Sequence, residues 1–301
     1  MTRKAASFPR GRVLPVAGVV LALLVGWYLA ALLGNRNGAA DALVRAGAAP
    51  DAMSIAAATM AQERPVVPAP HQVASELSRS VLGVPLSSKR SLVYHAWVTL
   101  SATLTGFALG SLLGIALAVA VVHLRSVEAS LMPWIVASQT VPILAVAPII
   151  IVALGAAGLT GLLPKAVIAA YLCFFPVTVG MVKGLNAPDR IQRDLMRTYS
   201  ASRGQILARL RWPAALPYLF ASLKIAVAAS LVGTIVAELP TGAQAGLGAR
   251  LLAGSYYGQT IQIWAALFAA AALSSLLVQG IGLAESATAR ALGARPAGGS
   301  R

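Results

Sequence analysis

Charge is scarce in this chain. Only 11% of its 301 residues are charged, and nine are Asp or Glu, where a soluble domain carries about 25% charged residues. With 58% apolar residues and a mean hydropathy of +0.77, a water-soluble fold would leave too much apolar surface exposed. The chain therefore reads as an integral membrane protein. A single cysteine, Cys173, excludes an internal disulfide and a multi-thiolate metal site. It sits in an apolar run and is expected to be a small buried side chain. No G-x-x-x-x-G-K-[ST] loop is present to cradle nucleotide phosphates, and no H-E-x-x-H motif or Cys/His cluster suggests a metal. His71, His95 and His123 lie far apart and are expected in exposed or interfacial positions.

Carboxylates are equally sparse inside the apolar runs. Lys165, Lys183, Lys224 and Glu238 are placed within a turn or two of span ends, where long side chains reach the headgroups. Proton- and sodium-coupled carriers use mid-membrane carboxylates, so their scarcity speaks against secondary transport. The net charge of +15 does not indicate nucleic acid, because the basic residues gather in particular segments without interleaved aromatics.

What is present is a series of long apolar runs. Six spans are expected: Val13–Leu33, about Ala96–Val122, Leu131–Leu154, Leu162–Val182, Tyr218–Ala237 and Ile261–Leu283. The first has 21 residues, about 30 Å of helix and too long for a cleaved leader's core. Each run exceeds a barrel strand and lacks period-two alternation, so the spans are helices. Lys and Arg set the orientation. Segment 183–211 holds seven basic residues against Asp189 and Asp194, whereas the short loops 155–164 and 239–260 hold none and Arg250 alone. Both termini are therefore expected on the cytoplasmic side. The loop from Gly34 to Leu92 carries six basic and four acidic residues. Its Gly34–Met60 part is Ala-rich with little to define a structure. Pro68 and Pro70 then precede a helical pattern at Val73, Leu77 and Val81 that predicts a surface helix.

Several motifs admit two readings. In the third span, Pro133, Pro142 and Pro148 accompany Ser138, Gln139 and Thr140. Either these polar residues face a solute route, with Ser230 and Thr234 of the fifth span, or they satisfy packing neighbours. Gly106, Gly110 and Gly114 recur at four-residue spacing in the second span and permit close backbone approach, either inside the chain or between subunits. The glycine-rich exterior loop carries a possible short helix at Gly246–Ala253, as a gate or as a plain re-entrant connection. Between Asp189 and Tyr199, Ile191, Leu195, Met196 and Tyr199 share one helical face, with Arg190, Arg193 and Arg197 opposite. Ser202 and Gln205 form a capping box, and Ile206, Leu207 and Leu210 continue into a second short helix that Pro213 and Pro217 are expected to stop. The insert is a two-helix unit below the membrane or a basic element lying on anionic lipid.

The same insert resembles the cytoplasmic EAA loop of binding-protein-dependent type I ABC transporter permeases, whose pattern is E-A-A-x3-G-x9-I-x-L-P. Asp194, Leu195 and Met196 stand at the E-A-A positions, Ser200 at the glycine, and Leu210, Trp212 and Pro213 at I-x-L-P. The closing "PAALP" at Pro213–Pro217, the "P-A-P-x-x-V" at Pro68–Val73 and the "GFALGSLLGIALAV" span are similar to the nitrate/sulfonate/taurine-type branch over about residues 65–285. The resemblance implies an all-α, six-span permease of the inner membrane. Its regions are a cytoplasmic N-terminus (1–12), a first span (13–33), a long periplasmic loop (34–92), a permease core (93–285) with a coupling loop (184–217), and a cytoplasmic tail (286–301). It further implies that Asp194, Leu195, Met196, Arg197, Ser200, Arg203, Leu210 and Pro213 meet a separate ATP-binding subunit. No cofactor is then bound by this chain itself, since ATP sits on that partner. The other implied partners are a periplasmic solute-binding protein and a second permease subunit. That subunit is identical or related, and the altered E-A-A letters suit a heterodimer. The solute class is sulfonate, nitrate, taurine or pyrimidine-like. Outside this class stand an ATP-independent secondary carrier, which the shortage of mid-membrane charge disfavours, a channel, which the structured insert disfavours, and a non-transporting membrane scaffold.

Overall fold

The computed structural model describes residues 10–240 and 245–293. Arg3, Lys4, Arg295 and Arg301, and much of the two expected cytoplasmic termini, lie outside them. Every regular element among the described residues is helical, so the fold is all-α. In chain order these are α1 (Arg10–Arg45), α2 (Ala52–Ala61), α3 (Pro70–Leu82), α4 (Leu92–His123), α5 (Arg125–Ala137), a 3₁₀ turn (Ser138–Thr140), α6 (Ile143–Ala156) and α7 (Leu162–Leu185). Then come α8 (Arg190–Thr198), α9 (Arg203–Ile206), a π-helical turn (Leu207–Arg211), α10 (Trp212–Glu238), α11 (Leu247–Tyr256) and α12 (Thr260–Ala291). Five helical stretches are long and apolar enough to cross a membrane: 14–45, 92–123, 162–185, 203–238 and 260–291. A sixth exists if 125–140 and 143–156, bent by 102° at their junction, count as one span.

The chain forms two compact units. The first comprises residues up to 85 together with 251–266. Within it α1 does not end at residue 33 but continues to Arg45, and α2 follows, so the Ala-rich 34–60 stretch is largely helical. Alanine's high helix propensity explains why a segment without a clear apolar face still coils. Asp51 caps α2 through Ser54, and this hydrogen bonding holds the Asp51 carboxyl below its ordinary value. The helix expected after Pro70 is α3, with Pro70 in its first turn. The extended strap before it is held by Asn35, which is buried on α1. Asn35 Nδ2 donates to Val67 O (2.7 Å), and its Oδ1 accepts the N–H groups of Val66 (2.7 Å) and Val67 (3.1 Å). Trp27 adds a bond from Nε1 to Pro68 O (2.9 Å) and packs on Trp264.

The second unit, residues 86–250 and 267 onward, is built on α4, α7 and α10. α4 and α7 approach through the glycine ridge. A Cβ on Gly106, Gly110 or Gly114 would lie 2.4–2.7 Å from Ala169 Cβ, Ala170 O or Phe174 O respectively. The ridge therefore serves packing inside the chain. Cys173, Val177, Met181 and Leu185 of α7 fill the middle against Ala118 of α4 and Ala215, Leu219 and Ala226 of α10. Cys173 is buried, as expected of a small apolar side chain.

Two further expectations about helix ends are corrected. The third span is broken, not continuous: Pro142 disfavours helical geometry at the residue before it, and Val141 is extended (φ −81°, ψ 119°). Pro213 and Pro217 do not stop a helix. The chain stays helical from Arg203 to Glu238 because a π turn shifts the bonding register, with Trp212 N donating to Leu207 O. Pro213 then falls in the first turn of α10, directly after the π turn.

Candidate functional site

The basic insert closes on itself as a capped helix pair. Gln192 Oε1 accepts the Asp189 N–H at the start of α8 (3.0 Å). Ser202 and Gln205 cap α9 reciprocally: Gln205 N donates to Ser202 Oγ (3.3 Å) and Ser202 N to Gln205 Oε1 (2.8 Å). Between them α8 ends in a Schellman motif, with Ala201 N donating to Met196 O (3.0 Å) and Ser200 N to Arg197 O (2.8 Å). That motif requires a left-handed residue at Ser200, and Ser200 has φ 55°, the only positive φ outside glycine among the described residues. The position is the one where the resembling pattern carries glycine, the residue that takes this conformation without strain.

α8 presents its apolar face outward. Ile191 is 82% exposed, Leu195 56% and Tyr199 79%. Opposite them, Arg193 and Arg197 turn towards Arg203, Arg211 and His123 around a cavity of about 220 Å³. Asp194 is held between Arg190 (3.6 Å) and Arg197 (3.3 Å). Of the other residues assigned to this site, Met196 and Leu210 are half-buried and Pro213 is exposed.

A second site lies at the other end of the helices, where sequence reasoning placed only interfacial charges. Lys165 and Glu238 do stand at helix ends, but their side chains turn inward and not outward. Both are buried, and Lys165 Nζ lies 3.4 Å from Glu238 Oε1. Glu238 Oε2 also accepts Thr99 Oγ1–H (3.0 Å) and Gly248 N–H (2.8 Å). Thr99 Oγ1 accepts Leu247 N–H (2.8 Å), and His95 Nδ1 accepts Gly246 N–H (2.9 Å). Three successive N–H groups at the start of α11 are thus held by side chains of α4 and α10, while Lys165 Nζ donates to Ala245 O (3.3 Å). His95, expected at an exposed or interfacial position, is buried. Its Nε2–H donates to Lys89 O (2.9 Å), so one ring nitrogen donates and the other accepts, the pattern of a neutral imidazole. Gly246 has φ 131°, and a Cβ there would meet the Glu238 carboxylate at 2.2 Å. A cavity of about 500 Å³, lined by Tyr94, Ser101, Thr160 and Lys165 among others, opens beside this latch. Glu238 is a buried carboxylate, but its bonds commit it to structure. Lys224 likewise pairs with Glu285 of α12 at 2.5 Å instead of reaching out to a span end.

The polar residues proposed for a solute route part company. Ser138, Gln139 and Thr140 form the 3₁₀ turn at the break, with Gln139 and Thr140 exposed and the Ser138 carbonyl accepting from Tyr171 OH. Ser230 and Thr234 are completely buried against α4: Ser230 Oγ donates to Thr103 O (3.0 Å), and Thr103 Oγ1 donates to Thr234 Oγ1 (3.1 Å). The latch itself escaped sequence reasoning because its members are 10 to 151 residues apart along the chain. The one local sign was the Gly246-Leu247-Gly248 triplet following Glu238.

An all-helical, multi-pass membrane protein whose polar insert is a short capped helix pair is the class these features define. Residues 110–283 match the family described as "Binding-protein-dependent transport system inner membrane component", and the chain belongs to that family. It is similar to the "Probable ABC transporter permease protein" of Haemophilus influenzae, at 32% identity over 61% of this chain and 73% of that one. Similarity also extends to a formylaminopyrimidine transport permease protein of Halalkalibacterium halodurans (36% identity, 51% of this chain, 60% of that one). A riboflavin transport system permease protein of Chloroflexus aurantiacus is 32% identical over 73% of this chain and 78% of that one. The chain is thus a permease subunit of a binding-protein-dependent ABC transport system, a transport component of the inner membrane.

Proposed function

We propose that this permease is driven by a separate ATP-binding subunit that docks on the 193–213 loop, with α8 as the inserted element. The observation that carries the reading is the uncovered apolar face of α8, Ile191, Leu195 and Tyr199, on a helix fixed at both ends by caps. An amphipathic helix with its apolar side exposed fits a groove on a partner protein. Asp194, Leu195, Met196, Arg197, Ser200, Arg203, Leu210 and Pro213 supply its contacts and its turn. ATP stays on the partner, and this chain binds no cofactor of its own. The basic insert lies in the cytoplasm with both chain termini, as the distribution of Lys and Arg supports. On the other side a solute-binding protein delivers the cargo, and a second permease subunit completes the assembly.

The cargo belongs to the small solutes of the related transporters, a sulfonate, nitrate, taurine or pyrimidine-like compound. The names of the relatives, for formylaminopyrimidine, riboflavin, aliphatic sulfonates and nitrate, support that range. Ser138, Gln139 and Thr140 at the break of the third span are the proposed contacts on the solute route, because the break leaves Gln139 and Thr140 exposed. Ser230 and Thr234, closed off in the seam between α4 and α10, do not reach that break. The test is co-purification of a co-expressed ATP-binding subunit with wild type and with Leu195→Asp or Tyr199→Asp. Loss of the ATPase from both variants, with unchanged membrane insertion, is the expected result. Undiminished co-purification overturns the assignment of α8.

A further inference from the structure

The cavity behind α8 is independent of its outward face. His123 at the end of α4, Arg193 and Arg197 of α8, Arg203 and Ile206 of α9, and Arg211 of the π turn surround about 220 Å³. Four guanidinium groups line this space and no carboxylate does. Asp194 neutralises Arg197 in part from outside (3.3 Å). Arg193 Nε and Arg211 Nε are both shut off from solvent and have no hydrogen-bond partner among the described residues. A buried donor without an acceptor costs about 1–3 kcal/mol, more when it is charged, and like charges so close repel. The insert thus concentrates uncompensated positive charge where its own fold supplies no anion.

We infer that this cavity is a binding site for a phosphate group, held by Arg193, Arg197, Arg203 and Arg211. Guanidinium forks match phosphate oxygens in pairs, and four of them around one small space suit a single multiply charged oxyanion. The volume lies below the ~300–1,000 Å³ of pockets for drug-sized ligands, so a headgroup or a free phosphate fits the space and a whole nucleotide does not. The cavity begins where the apolar run of α4 ends at Val122 and His123. Basic pockets at that depth on the cytoplasmic side meet the phosphates of anionic lipids. Phosphatidylglycerol or cardiolipin is therefore one source of the phosphate, and inorganic phosphate is the other. The site shares Arg197 and Arg203 with the proposed docking contacts, but its two sealed members, Arg193 and Arg211, are not among those contacts, so changing them tests the site apart from docking.

The test uses the full chain in nanodiscs of neutral phosphatidylcholine, with phosphatidylglycerol or inorganic phosphate added in separate arms. Wild type is compared with Arg193→Gln/Arg211→Gln and with Arg209→Gln, an exposed arginine outside the cavity. In phosphatidylcholine alone, whose phosphate is already offset by its choline, the double variant should melt at or above the wild-type temperature, because removing charge relieves repulsion. Adding the correct phosphate source should raise the melting temperature of wild type and Arg209→Gln. The double variant should bind it at least tenfold more weakly. A response to phosphatidylglycerol alone assigns the site to lipid, and a response to inorganic phosphate in neutral lipid assigns it to the free anion. The inference is overturned if neither source distinguishes the double variant from Arg209→Gln. It is equally overturned if the arginines gain stability only when an ATP-binding subunit is added, which would make the anion an acidic side chain of that protein.

Discussion

At Ser200 a side chain occupies backbone geometry that glycine takes freely, so its substitutions separate geometry from chemistry. Ser200→Gly should preserve the turn and change stability by no more than ~1 kcal/mol, since relief of strain and added freedom of the unfolded chain oppose each other. Ser200→Pro fixes φ near −65° and removes the N–H that closes on Arg197 O. It should abolish uptake while the protein still inserts, as read by transport assays beside size-exclusion profiles. At the buried latch, Lys165→Met removes the Lys165 ammonium from beside the Glu238 carboxylate. Breaking a buried pair costs about 3–5 kcal/mol, so a marked fall in melting temperature is expected. Lys165→Met combined with Glu238→Gln should recover most of it, because the amide oxygen can still accept from Thr99 or Gly248. Equal destabilisation in the single and double variants would show that the charge pair is not the governing interaction.

The elements rank by how they pack. α4 meets α7 through glycine, and Gly110→Val would drive a side chain to within 2.7 Å of Ala170 O. Folded yield should collapse, while Gly155→Ala, with open space around it, should be neutral in the same expression and melting assays. Much of this level was legible in the sequence: the apolar runs, the glycine spacing, the helix after Pro70 and the Ser202–Gln205 cap all follow from local pattern. The helical continuation of α1 through the Ala-rich stretch was not, because alanine coils without leaving a polar and an apolar face. Nor was the passage through Pro213, where a π turn re-registers the backbone, or the break at Val141, where one proline outweighs a strongly apolar run. The latch was hidden for a different reason. Lys165 and Glu238 stand 73 residues apart, and only the packing of α7 against α10 turns two isolated charges near span ends into one buried pair.

Over the whole molecule, the two ends of the permease core are built differently. One carries the latch, in which α4, α7 and α10 grip the first turn of α11 through buried bonds. The other carries a capped helix pair with an exposed apolar face and a basic cavity behind it. This division suits a subunit that is moved from one side and serves its cargo from the other. The account therefore rests on an external energy source acting through α8. Its most direct test is solute uptake into proteoliposomes holding this chain, its ATP-binding subunit and its solute-binding protein, measured with and without ATP. ATP-dependent uptake that disappears in Leu195→Asp, with the melting temperature unchanged, is the predicted result. Uptake that continues after ATP is depleted would contradict the account.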